Sequence, residues 1–122
     1  MDEGDKYAEL TVRLHELGLT DEPAMLAETT QLFLNDAAHM VEAMKTAYAN
    51  GGTVALGRAA HRLKGAALNL GAVQVAAPAR TIEEGSRRGE LLAVAESLLS
   101  IESELTAVGG FLRGLAKTSV KV

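Results

Sequence analysis

From Tyr7 to Val108 the apolar residues recur at intervals of three and four, and glycine-bearing stops are the main interruptions. That period is the signature of helices with one buried face, whereas a half-buried strand would alternate every second residue. No run shows convincing β alternation, so the expected fold is all-α. The first helix is expected over about 5–17, with Tyr7, Leu10, Leu14 and Leu17 on one side and Gly18 as its stop. Thr20 or Asp21 is placed to cap the next helix, Pro23 suits its first turn, and Met25, Leu26, Thr29, Phe33, Ala37, Met40, Met44 and Ala47 trace its buried stripe. Asn50-Gly51-Gly52 ends it.

Thr53 is the expected cap of a third helix reaching Leu70, before Gly71. A fourth spans Val73 to about Arg87 and ends near Gly89, with a late start or a kink expected at Pro78. A fifth covers about Leu91 to Val108, and Gly109-Gly110 is expected to break or bend it. Links this short favour antiparallel neighbours. The architecture expected is a four-helix bundle over about 21–108, with a short extra N-terminal helix and a C-terminal extension over 109–122, all within one domain of 122 residues.

Composition narrows the functional classes. Cysteine is absent, which excludes disulfides and thiolate metal sites, and the histidines and acids show no spacing that resembles a metal cage. No apolar run approaches the length of a membrane span, and the acidic start (Met1, Asp2, Glu3) is unlike a signal peptide, so a cytoplasmic location is expected. The net charge of −4 argues against nucleic-acid binding. It also hides an asymmetry: residues 58–88 hold six basic side chains (Arg58, Arg62, Lys64, Arg80, Arg87, Arg88) against Glu83 and Glu84. This island is about +4 and the remainder about −8, a contrast able to steer a partner.

The island contains one of three histidines. His15 and His39 sit in mixed surroundings that suit surface or packing roles, and the four methionines read as core fillers. On the third helix, at about 100° per residue, Leu56, Ala59, Ala60, Leu63, Ala66, Ala67 and Leu70 gather on one arc. His61, Lys64, Gly65 and Leu68 fall on another arc, roughly opposite. An outward imidazole has a nucleophilic nitrogen suited to phosphoryl attack. A lysine one turn away can offset the added charge, and a glycine at i+4 leaves room for a docking protein.

The run from Ala60 to Ala72, A-H-R-L-K-G-A-A-L-N-L-G-A, resembles the signature of histidine-containing phosphotransfer (HPt) domains, whose core reads A-H-x-L-K-G, then small residues and G-A. Phe33-Leu34, the Asn50-Gly51-Gly52 turn and Ile82-Glu83 also have counterparts in that family, so the resemblance spans about 20–108. It implies that His61 is the phosphorylated residue, that Lys64 contacts the phosphoryl oxygens and that Gly65 opens access for a receiver domain. Glu83 falls where many members carry a polar residue, often glutamine, that orients the imidazole, and Arg87 adds positive charge one turn on. As a carboxylate, Glu83 departs from the glutamine version: it can accept the ring's non-reacting N–H but also repels phosphate.

The function implied is a relay between aspartyl-phosphate receiver domains of hybrid kinases and response regulators, through phosphohistidine at His61. Leu68, Arg58 and Arg62 are expected to dock the partner. No cofactor of its own is expected, because Mg²⁺ would sit on the receiver, and no glycine-rich nucleotide loop is present for autophosphorylation from ATP. A monomeric phosphocarrier is therefore expected, acting on neither nucleic acid nor membrane. A non-catalytic adaptor is the alternative, which the His61, Lys64 and Gly65 trio disfavours. A dimerising phosphoacceptor domain of a sensor kinase is a further one. There an acidic residue usually follows the histidine, whereas Arg62 follows His61.

Overall fold

A computed structural model describes residues 3–120 of the chain, with side chains described over 5–117. The described residues fold into α1 (Glu3–Lys6), α2 (Ala8–Glu16), α3 (Pro23–Ala49), α4 (Thr53–Leu70), α5 (Val73–Arg88) and α6 (Leu91–Val120). The four long helices α3 to α6 form the bundle: α4 packs on α3 and α5, and α6 closes the ring against α5 and α3. Consecutive bundle helices are joined through residues 50–52, 71–72 and 89–90, too few for anything but antiparallel neighbours. Gly51, Gly71 and Gly89 make these turns with φ between 70 and 80°, a left-handed conformation that costs glycine little.

The inward face of α4 agrees with the pattern in its sequence. Leu56, Ala59, Ala60, Leu63, Ala67 and Leu70 are buried, and Ala66 packs at the edge. Burying a leucine contributes roughly 1.5–3 kcal/mol. The row therefore fixes the rotation of α4 about its axis, and with it the outward direction of His61.

Several expectations need correction. Thr53 is the first helical residue of α4 rather than its cap; Gly52 holds the cap position, with no side-chain cap bond. Glu22, not Thr20 or Asp21, precedes α3, also without a side-chain bond. On α3 the buried residues are Leu26, Thr30, Phe33, Ala37, Val41, Met44 and Ala47. Thr30 thus replaces Thr29 on the stripe, Val41 joins it beside Met40, which packs partly buried against the core, and Met25 is 56% exposed and fills no core gap. Met1 lies outside the described residues. Leu17 is also exposed, and the N-terminal helix is interrupted at Tyr7, whose buried ring stacks on Phe111 with centroids 4.5 Å apart.

The expected break at Gly109-Gly110 does not occur, because α6 runs on to Val120. Each glycine costs a helix about 1 kcal/mol against alanine, but continuing the helix buries Leu112 and Ala116 and brings Phe111 to Tyr7. Gly109 is itself packed on α3, where an added Cβ would come within 3.1 Å of Leu34. Nor does Pro78 delay α5, which starts at Val73 and keeps Pro78 inside it. Because proline has no N–H, the Gln74 carbonyl goes without its usual helical donor there.

Candidate functional site

His61 lies midway along α4 with its side chain 66% exposed, flanked by the fully buried Ala60 and Leu63. Two buried neighbours anchor the backbone beneath an imidazole open to solvent. Across from it, α5 presents Glu83, whose side chain is only 20% exposed. Ile82, the residue before it, is fully buried and sets the rotation of α5 at this point.

Glu83 joins two α4 side chains. Its Oε2 lies 2.8 Å from His61 Nδ1, and its Oε1 accepts a hydrogen bond from Lys64 Nζ at 2.6 Å. The Lys64 contact is the main cause that holds the Glu83 carboxyl below its usual range, with the His61 bond adding to it and burial opposing. The group is therefore ionised at neutral pH. An ionised carboxylate can only accept, so the short bond to His61 requires the proton on Nδ1. In the neutral ring the lone pair is then on Nε2, a defined tautomer with its nucleophilic nitrogen directed away from Glu83.

Around the ring lies a groove of about 480 Å³ shared by α4 and α5. Val54, Gly57 and Ser86 line it together with His61 and Glu83, and Arg58, Arg62 and Arg87 also contribute to its walls. Among the described residues these three arginines make no ion pair, whereas Arg88 lies 3.9 Å from Glu90. Gly65 opens the surface on the other side: an added Cβ would meet none of the described residues within 4 Å. Leu68 is 39% exposed one turn further along α4.

The structure thus brings His61, Lys64 and Glu83 into direct contact and gathers Arg58, Arg62 and Arg87 around the same groove. Lys64 bonds to Glu83, a link that reading each residue against His61 did not anticipate. Gly57 and Ser86 were also missed. The available signal was Gly57 itself, a second helix-interior glycine one turn before His61. His15 stays exposed, with Nδ1 3.4 Å from Thr20 Oγ1, and His39 is exposed on α3. No cluster of three or more metal-ligating side chains occurs among the described residues, and none of their helices is long and apolar enough to cross a membrane.

Comparison with curated proteins and with solved structures gave no match. The family model described as the Hpt domain matches residues 28–110, a stretch that contains most of α3, all of α4 and α5, and α6 as far as Gly110. That is more than half of the chain and includes every residue of the His61 site, so the chain belongs to the Hpt domain family.

Proposed function

We propose that this chain relays a phosphoryl group between aspartyl-phosphate receiver domains through Nε2 of His61. Hpt domains act in phosphorelays as phosphocarriers rather than kinases. The observation that carries the assignment to His61 is the 2.8 Å bond from its Nδ1 to Glu83, which leaves Nε2 as the nucleophile on a largely exposed ring. In the forward step the Nε2 lone pair attacks the phosphorus of the receiver's acyl phosphate. The P–O bond to the aspartate breaks, the carboxylate leaves, and an N–P bond forms on His61. Nδ1 keeps its proton, and the ring's new positive charge faces the Glu83 carboxylate. A second receiver reverses the step with its own aspartate.

The chain's share of catalysis is positioning and charge, which supply much of the rate in phosphoryl transfer. The receiver supplies Mg²⁺. Gly65 and Leu68 provide the open, partly apolar surface for docking, while Arg58, Arg62 and Arg87 face the acidic rim of the partner. The test is transfer from a panel of phosphorylated receiver domains to wild type and to His61→Gln. Acid-labile, alkali-stable label on the wild type alone supports the relay. Equal labelling of both proteins excludes His61 as the acceptor.

A further inference from the structure

Glu83 reaches His61 because α5 lies close against α4, and one turn from the pair the two helices meet at Gly57 and Ser86. A Cβ on Gly57 would stand 2.9 Å from Ser86 Oγ, a separation that real Cβ atoms essentially never show. Ser86 is buried, and its hydroxyl donates to the Glu83 carbonyl at 2.8 Å. Towards α6, a Cβ on Gly85 would stand 2.9 Å from Val94 Cγ2. The turn of α5 that follows Glu83 is therefore closely packed on both sides, and a methyl group towards either neighbour would displace Ser86 Oγ or Val94 Cγ2. Gly57 lies four residues before His61, on the same side of α4. Glycine is the poorest helix former after proline, so its use inside α4 is explained by this close approach.

We infer that Gly57 and Ser86 are positioning residues for the phosphoacceptor, holding α5 at the distance where Glu83 fixes the His61 ring in its Nδ1–H form. The inference rests on the reading of His61 as the acceptor. A methyl group at position 57 has two ways to fit. Either α5 retreats and stretches the 2.8 Å bond, which weakens steeply with distance, or the Ser86 hydroxyl abandons the Glu83 carbonyl. Among the described residues Ser86 Oγ is the sole atom within 4 Å of the added Cβ outside the local helix, so removing that oxygen relieves the clash.

The experiment compares wild type, Gly57→Ala and Gly57→Ala/Ser86→Ala by ¹⁵N NMR of the unphosphorylated His61 ring, at a pH where the ring is neutral. It also compares their labelling rates from a receiver that labels the wild type. The expected result is a protonated Nδ1 in the wild type. In Gly57→Ala the shifts move towards two exchanging tautomers and labelling slows on the order of tenfold. Both readouts return towards wild type in the double variant. A wild-type ring pattern in Gly57→Ala overturns the inference, as does a double variant that stays impaired. Failure of every receiver to label wild-type His61 contradicts the relay reading instead, and the ring pattern still decides the positioning role.

Discussion

Glu83 accepts a hydrogen bond from Lys64 with one carboxylate oxygen while the other lies 2.8 Å from His61, so the two α4 side chains meet through a residue on α5. This bridge couples the ring's tautomer to the ionisation of one carboxyl group. Because Lys64 and His61 hold that carboxyl below its usual range, folded Glu83 takes up a proton less readily than unfolded Glu83. The stabilisation is fully present above the ordinary value of 4.5 and is lost as the pH falls through the lower folded value. Urea midpoints of wild type and Glu83→Gln should differ most above that value and converge in acid. An offset that stays constant into strong acid would contradict the bridge.

Gly65 separates stability from function. It is exposed in the interior of α4, and a Cβ there meets nothing. Gly65→Ala should therefore raise stability by about 1 kcal/mol and still slow transfer from a receiver, with larger side chains slowing it further. Chemical denaturation and transfer rates on the same variants check both halves. Unchanged transfer in a Gly65→Gln variant would remove the access role.

Gly71 and Gly89 share a left-handed backbone but not their surroundings. At Gly89 an added Cβ meets nothing, whereas at Gly71 it would lie 2.7 Å from the Glu9 carbonyl oxygen and 3.0 Å from Arg13 Cβ. Gly89→Ala should cost about 1–2 kcal/mol from conformation alone. Gly71→Ala should cost at least ~1 kcal/mol more, in the range of overpacking, because it pushes α2 off the α4–α5 turn. Denaturation gives the energies, and hydrogen exchange over α2 should rise in Gly71→Ala only.

The groove arginines should act mainly on encounter. Replacing Arg58, Arg62 and Arg87 with alanine should slow receiver association about tenfold at low salt and flatten its dependence on ionic strength. Stopped-flow association across a salt series measures this. An unchanged salt slope would show that these charges do not steer the partner.

Much of this arrangement is legible in the chain itself, because local periodicity determines it. The arc from Leu56 to Leu70 predicts which side of α4 is buried, and His61 and Gly65 follow on the exposed side. Thr53 and Thr29 mislead because capping and stripe rules describe an isolated helix, whereas Gly52 and Thr30 take those roles in the bundle. The path of α6 through Gly109-Gly110 depends on packing against the distant Leu34 and Tyr7, which a local rule does not weigh. The Lys64–Glu83 bond and the fit of Gly57 against Ser86 depend on the spacing and register of α5 against α4, and one-dimensional patterns carry neither.

Phosphate carried on Nε2 of His61, with Nδ1 keeping its proton towards Glu83, has a direct spectroscopic signature. The most direct measurement is ³¹P and ¹⁵N NMR of the protein labelled at histidine nitrogen and phosphorylated by a receiver domain. The expected result is a single phosphohistidine with phosphorus coupled to Nε2 of His61 and a protonated Nδ1. Phosphorus on Nδ1, or on His15 or His39, would contradict it.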